Sequence, residues 1–174
     1  MEWFITGSII ILGIAFFVVF TVMKDKNNNK IIEDHLREIS KQYNMKFSLG
    51  VKEEYDYLIE NKEVVIYIKK AKIPSNSSVT INARNTWCLR WGGKRVGRSY
   101  PNMRYMKELI PYLICEYQNE KKVIKVVLIY PDTEVILKYL NESELATVKP
   151  LDNNYGTRAI RFLDFEEAFK ELIK

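Results

Sequence analysis

Asp56 and Lys69 supply a carboxylate and an ammonium group, which are residue types that could do chemistry on a phosphate. Asp56 lies in the β-rich run YDYLI, Lys69 ends the β-rich run VVIYIK, and the polar residues 60–63 separate the two runs. Such an arrangement predicts a hairpin. A carboxylate can bind Mg²⁺, and a nearby lysine can stabilise the charge that develops during phosphodiester cleavage. These residues alone leave that role open against the role of an ion pair at a strand edge.

A long stretch without acidic residues predicts a negatively charged partner. Residues 64–107 contain ten lysines and arginines but no aspartate or glutamate. Charge segregated in this way makes a positive face that attracts phosphate-rich molecules. The residues predicted to bind nucleic acid or another anion are Lys70, Arg90, Lys94, Arg95, Arg98 and Arg104. Aromatic residues that could hold a nucleic acid strand are interleaved with them, namely Tyr67, Trp87, Trp91, Tyr100 and Tyr105.

The amino-terminal segment predicts a membrane anchor. Residues 3–23 carry no charge and are mostly apolar. A helix of about 20 such residues crosses the roughly 30 Å hydrocarbon core of a bilayer. A cleaved signal peptide is the competing interpretation, but Met1 and Glu2 provide no basic start and no small-residue cleavage pattern follows the apolar run. The lipid bilayer is therefore an expected partner through residues 3–23.

The charges on either side of the predicted anchor indicate its orientation. Lys24, Lys26 and Lys30 follow it, whereas Glu2 precedes it. Membrane proteins keep such a basic flank in the cytoplasm. We therefore expect a single-pass protein of the cell membrane, with the N-terminus outside and the C-terminal domain in the cytoplasm. The chain has only two cysteines, which agrees with a reducing compartment, and these two lack metal-site spacing.

The rest of the chain predicts one mixed domain. After the anchor at residues 1–23, residues 24–30 (KDKNNNK) are typical of a polar linker and residues 31–174 of one domain. Helices are predicted over residues 31–43, from residue 100 to about 116 with a kink at Pro111, and after Asp164. Strands are predicted over residues 45–49, 55–59, 64–68, 79–81, 86–91, 123–130, 135–140 and 159–163. This order predicts an α/β (α+β) fold with a mixed β-sheet sandwiched by helices.

Several short motifs within residues 31–174 follow the order found in one known family. They are YDYLI as an aspartate strand, VVIYIK as a strand ending in lysine, NTW and GGK as a tryptophan hairpin, YPNMR as a helix opening, and VVLIY as a buried strand. In this order the chain resembles the nuclease-related domain (NERD) of the PD-(D/E)xK nuclease superfamily. The resemblance implies a restriction-endonuclease-like fold and Mg²⁺-dependent nuclease chemistry at Asp56 and Lys69.

Two positions depart from the pattern of that family. Tyr67 stands where the family has a glutamate, and Arg104 stands where it has a glutamine. A phenol stays protonated near neutral pH and is a poor Mg²⁺ ligand. Asp56 would be a metal ligand only in an active enzyme completed by an acid from elsewhere, such as Glu33, Glu53 or Glu54. We therefore expect a degenerate site without a cofactor, with Mg²⁺ needed only if the domain is an active nuclease.

Three functions follow from these patterns. The favoured one is a membrane-anchored, catalytically degenerate nuclease-like domain that binds nucleic acid or another polyanion. The second is an active Mg²⁺-dependent nuclease with a migrated acidic ligand. The third is a non-enzymatic interaction or scaffold protein, whose basic face meets anionic lipid at the membrane surface. Purely structural roles compete with all three, since Asp56 also fits a strand-edge ion pair and Tyr67, Trp87 and Trp91 fit packing.

Overall fold

The structure is a computed structural model that describes residues 2–50, 54–93, 100–141 and 144–174, with side chains of the first helix described from Phe16 onward. The chain divides into two compact units, Met1–Ile39 and Ser40–Lys174. Five residues named above fall outside the described ones: Met1, Glu53, Lys94, Arg95 and Arg98.

One long helix, α1 (Glu2–Gln42), makes up the first unit and continues briefly beyond it. The helix includes residues 24–30, so the segment expected to be a polar linker is helical. The apolar side chains of residues 16–20, 22 and 23 are each more than half exposed. In contrast, Ile32, Leu36 and Ile39 are buried, as an amphipathic helix over residues 31–43 requires. Within the described part of the chain, no helix reaches the length and apolarity needed to cross a membrane.

The described residues of the second unit form ten strands and two short helices. The strands are β1 (Lys46–Leu49), β2 (Tyr57–Glu60), β3 (Val64–Lys72), β4 (Ser77–Ala83), β5 (Thr86–Trp91), β6 (Asn102–Tyr105), β7 (Lys122–Tyr130), β8 (Val135–Asn141), β9 (Glu144–Thr147) and β10 (Thr157–Arg161). The helices are α2 (Ile110–Ile114) and α3 (Phe165–Leu172), each preceded by a 3₁₀ turn.

The strands form two mixed sheets. The first sheet has the order β1-β2-β3-β7-β10 and the second has the order β6-β5-β4-β8-β9. The pairs β3/β7, β7/β10 and β4/β8 are parallel, and the other pairs are antiparallel. The predicted mixed α/β class is confirmed, but the described residues form two sheets with few helices instead of one sheet sandwiched by helices.

Two connections carry the chain from the first sheet to the second. Residues 73–76 join β3 to β4, residues 131–134 join β7 to β8, and the two connections lie side by side. The Ile73 N–H donates to the Tyr130 carbonyl at 2.9 Å, and the Thr133 hydroxyl donates to the Ser77 carbonyl at 2.7 Å. The parallel pairs β3/β7 and β4/β8 are therefore linked at one end through these neighbouring connections.

The main core lies between the two sheets. It joins buried residues of β3, β7 and β10 to buried residues of β4, β5 and β8, and the α2 region adds to it. Its members include Ala71, Ile73, Val79, Ile81, Trp87, Leu89, Leu109, Tyr112, Leu113, Val127, Ile129 and Ala159. β7 is buried on both faces over most of its length, as its continuous apolar sequence predicts.

Helix α3 covers the opposite face of the first sheet. Its residues Phe165 and Phe169 are fully buried, and Lys122 Nζ of β7 lies 3.4 Å from the Leu172 carbonyl. Asp164 directly precedes the helix, but the prediction that its side chain caps the helix was wrong. Its carboxylate accepts a hydrogen bond from Arg161 at 2.6 Å and makes no capping bond to the helix.

The prediction of a helix over residues 100–116 was wrong. Residues Asn102–Tyr105 form β6, which pairs with β5, and the helical part is limited to the 3₁₀ turn and α2. Pro111 lies at the start of α2, where its missing N–H removes no helical hydrogen bond. Pairing with β5 thus overrides the helical spacing of the apolar residues in this segment.

Candidate functional site

The predicted pair Asp56 and Lys69 comes together where the chain enters β2. Lys69 Nζ lies 3.7 Å from Asp56 Oδ1. The Lys70 backbone N–H donates to Asp56 Oδ2 at 2.7 Å, and the Asp56 N–H donates to the Ile68 carbonyl at 2.9 Å. Both carboxylate oxygens of Asp56 therefore have a positively charged or N–H partner within the protein.

Tyr67 lies beside this pair and packs among other tyrosines. Successive residues of a strand face opposite sides, so Tyr67 and Lys69 lie on the same face of β3. The Tyr67 ring stacks on Tyr117, with centroids 3.9 Å and planes 9° apart, and it meets the edge of Tyr55 at 4.9 Å. The Tyr112 hydroxyl donates to the Tyr67 carbonyl at 2.8 Å. We call Tyr55, Tyr67, Tyr112 and Tyr117 the tyrosine cluster.

Lys125 is a buried cation next to the tyrosine cluster. Its side chain donates to the Leu113 carbonyl at 2.9 Å and to the Cys115 carbonyl at 2.8 Å, and Nζ lies 5.0 Å from the Tyr112 ring centroid. Burial lowers the pKa of Lys125 to about 8, and the positive charge of Arg84 acts in the same direction. The two carbonyls are at the C-terminal end of α2, so Lys125 holds that helix end to β7.

The described surroundings of Asp56 do not provide a set of metal ligands. Among the described residues, no three His, Cys, Asp or Glu side chains are grouped to hold a metal ion. The proposed substitute Glu33 pairs with Arg37 at 2.7 Å. Glu54 contributes its backbone carbonyl, which accepts a hydrogen bond from Tyr117 at 3.3 Å. Mg²⁺ prefers carboxylate and water oxygens, and a single carboxylate paired with lysine suits it poorly.

The predicted anion-binding residues that the structure describes lie in separate places. Lys70 is on β3 of the first sheet. Met103 on β6 pairs with Arg90 on β5, so these two side chains lie on the same face of the second sheet. Arg104 is the next residue of β6 and therefore lies on the opposite face. Arg104 forms an ion pair with Glu108 at 2.8 Å. Arg90 and Arg104 therefore do not belong to one surface.

Arg90 lies in a cleft of about 270 Å³ on the outer face of the second sheet, and we call it the Arg90 cleft. All five strands of this sheet contribute to it, and its lining includes Ser78, Thr80, Arg90, Tyr100, Tyr105 and Tyr139. None of the described residues that line it is acidic. Arg90 Nε is buried and has no hydrogen-bond partner among the described residues. Arg90 is the one charged residue of the described lining, so the cleft is best suited to a ligand with a negatively charged acceptor.

The aromatic residues predicted to hold a strand divide between the cleft and the core. Trp87 is buried in the core and Trp91 packs against that core, so neither presents a ring to the cleft. Tyr105 lines the cleft and is 51% exposed. Tyr100 also lines it, and its hydroxyl donates to the Glu134 carboxylate. Burial, with help from that hydrogen bond, raises the pKa of Tyr100 to about 12, so its hydroxyl stays protonated at neutral pH.

Several residues of these sites were not predicted from the sequence. Tyr117 belongs to the tyrosine cluster, Lys125 lies beside that cluster, and Tyr139 lines the Arg90 cleft. Lys125 is the one charged residue inside the apolar run VIKVVLIY, which was an available signal. The orientation of Tyr139 could also be inferred, because it lies two residues after Leu137 in a predicted strand and therefore faces the same side.

Comparison of the chain with protein-family profiles, with characterised proteins and with solved structures gives no match. The Asp56–Lys69 pair and the Arg90 cleft are therefore the basis for a functional proposal. Of the two, the Arg90 cleft has the buried polar group that still needs a partner.

Proposed function

We propose that this chain is a membrane-anchored, catalytically degenerate nuclease-like domain that binds nucleic acid or another polyanion through the Arg90 cleft. The observation that carries the proposal is the Arg90 Nε–H, which is buried without a described partner in a cleft whose described lining has no acidic residue. Buried polar groups in folded proteins nearly always have a partner. Phosphate oxygens match the geometry and charge of a guanidinium group especially well.

A restriction-endonuclease-like ancestry, as the resemblance to the nuclease-related domain implies, is part of this proposal. Asp56 and Lys69, which the resemblance assigns to the family's aspartate and lysine, lie close together, with Lys69 Nζ 3.7 Å from Asp56 Oδ1. Tyr67 occupies the position of the second carboxylate, and its ring is stacked on Tyr117. The Asp56–Lys69 ion pair beside the stacked ring of Tyr67 supports a site that has lost its second metal-binding carboxylate but has kept the strands around it.

Attachment to the membrane through residues 3–23 is the second part of the proposal. The described end of this segment exposes apolar side chains at seven positions between residues 16 and 23. An exposed patch of this kind is unfavourable in water and favourable in lipid. With Lys24, Lys26 and Lys30 following it, we place the N-terminus outside the cell and the domain in the cytoplasm.

The test is nucleic acid binding by the full-length chain in a nonionic detergent. Fluorescence anisotropy with labelled DNA and RNA strands should show affinity that falls steeply as salt rises, because bound phosphates release counterions. Arg90→Ala should weaken binding. It should also make the fall of log affinity with log salt less steep by about 0.7, because one phosphate contact is lost. Arg104→Ala removes the same charge on the opposite face and should have a smaller effect. Absent or salt-insensitive binding would overturn the proposal.

A cleavage assay tests the degenerate part separately. Incubation of the same preparation with Mg²⁺ or Mn²⁺ and a panel of DNA and RNA substrates should give no cleavage. Metal-dependent cleavage that disappears in Asp56→Ala would show an active nuclease, and the proposal of a lost metal site would then be wrong.

A further inference from the structure

We infer that the ligand of the Arg90 cleft is single-stranded nucleic acid, whose bases stack on Tyr105 and Tyr139 while a phosphate meets Arg90. This inference rests on the proposed function and names its ligand more narrowly. A polyanion of any shape satisfies Arg90, but the two tyrosine rings add a requirement that only an unpaired base meets.

The strand register defines how the cleft is built. Tyr105 on β6 pairs with Cys88 on β5, Cys88 pairs with Thr80 on β4, and Thr80 pairs with Leu137 on β8. Residues paired in this way lie on the same face of a sheet. Tyr139 lies two residues after Leu137 and therefore faces the same side. One tyrosine thus stands on each side of a central floor formed by β5 and β4.

The exposure of the two rings suits stacking. Tyr105 is 51% exposed and Tyr139 is 38% exposed, although both line a cleft. Three strand spacings separate β6 from β8, so the strands that carry the two tyrosines lie about 14 Å apart across the sheet. Each ring can therefore receive a different base. A duplex keeps its bases stacked inside the helix, so its bases cannot reach both rings.

The chemistry between the rings fits a nucleotide strand. Arg90 supplies the positive charge, with Ser78 beside it in the strand register. Thr80 and Asn82 present a hydroxyl and an amide group within the same cleft, which can bond to base edges or phosphate. No described residue of the lining is acidic, and the Glu134 carboxylate next to the lining accepts the hydrogen bond of the Tyr100 hydroxyl. Aromatic rings, one cation and neutral polar groups are the features by which proteins bind single strands without strong sequence preference.

The experiment compares three probes of matched charge on the full-length chain in nonionic detergent. They are a short oligothymidylate, an abasic oligomer with the same number of phosphates, and a duplex with the same total number of phosphates. The single strand should bind more tightly than the other two. Tyr105→Ala and Tyr139→Ala should each weaken its binding roughly 5- to 150-fold, the range expected for loss of one stacked base. Neither substitution should change binding of the abasic oligomer.

Two control variants test whether the loss of affinity comes from the aromatic rings of the cleft. Tyr105→Phe keeps the ring and should keep the affinity for oligothymidylate. Tyr155→Ala removes a tyrosine that is 44% exposed and packs against Lys138 outside the cleft, so it should have no effect. Circular dichroism of each variant verifies that it is folded.

The possible failures are distinguishable. Equal binding of the oligothymidylate and the abasic oligomer, with a loss in Arg90→Ala alone, would overturn this inference and leave the polyanion proposal standing. No binding of any probe would overturn both. Binding of anionic-lipid vesicles that Tyr105→Ala weakens, without binding of the single strand, would assign the cleft to lipid and would also overturn the inference.

Discussion

Replacement of Asp56 distinguishes a structural role of this residue from a catalytic one. Its carboxylate accepts the Lys70 N–H at 2.7 Å, a charge-assisted bond with a contribution of about 1.5–3 kcal/mol. The attraction to Lys69 at 3.7 Å is about 4–5 kcal/mol at an effective dielectric constant of about 20, but desolvation offsets most of it. A partly exposed pair therefore contributes about 0.2–1 kcal/mol. Asp56→Ala should lower the free energy of unfolding by about 2–4 kcal/mol.

Asp56→Asn provides the comparison, because it keeps an oxygen acceptor for the Lys70 N–H and removes only the charge. We expect a loss of about 1 kcal/mol. Urea denaturation of the full-length chain, followed by tryptophan fluorescence to which the buried Trp87 contributes, measures both values. Glu116→Ala removes a mostly exposed partner of Arg84 and should cost less than about 0.5 kcal/mol. If Asp56→Ala were as stable as the wild type, the structural account of Asp56 would be refuted.

Three further predictions concern stability and location. Tyr112→Phe removes a fully buried hydroxyl that lies within 3.0 Å of two main-chain carbonyl oxygens, and it should cost about 1–3 kcal/mol in a urea titration. The hydrogen bond from Lys121 lowers the pKa of Glu60, so this pair stabilises the fold above the ordinary pKa of Glu60, near 4.5, and loses its effect as the pH falls through the lowered pKa. Lys121→Ala should therefore destabilise the protein by about 0.5–1 kcal/mol at pH 7, and melts at decreasing pH should show that difference vanish below the lowered pKa. Full-length protein expressed in cells should sediment with membranes, and its domain should resist protease added outside intact cells.

Local sequence patterns predicted most of the strands of this fold. The runs that became β2 and β3 have β-rich sequences around a short polar turn, so both the hairpin and the meeting of Asp56 with Lys69 could be inferred. β7 was recognisable from its continuous apolar residues. In each case the signal lies within one segment or in two segments that are adjacent in the chain, where register depends on the turn.

Contacts between distant segments were not predictable in the same way. Residues 102–116 have apolar residues at helical spacing, yet Asn102–Tyr105 pair with β5. The stacking of Tyr67 on Tyr117 depends on a segment fifty residues further along the chain, and nothing in either local sequence specifies it. The Arg90 cleft also combines residues of five strands. The grouping of Tyr100, Tyr105 and Tyr139 in this cleft therefore depends on the order and register of the second sheet, which no local pattern specifies.

The side-by-side connections between the sheets restrict how this protein can change in length. Lys72 pairs with Tyr130 at one end of the two connections, and Ser78 pairs with Val135 at the other end. Between these pairs, the first connection contains one residue more than the second. Asn76 adopts a left-handed conformation with φ of 53° in the longer connection, which helps to accommodate the additional residue. Surface loops usually tolerate insertions and deletions. Here, one residue gained or lost would have to form a bulge or shift β4 against β8, and the shift would turn Val79 outward and Thr80 into the core.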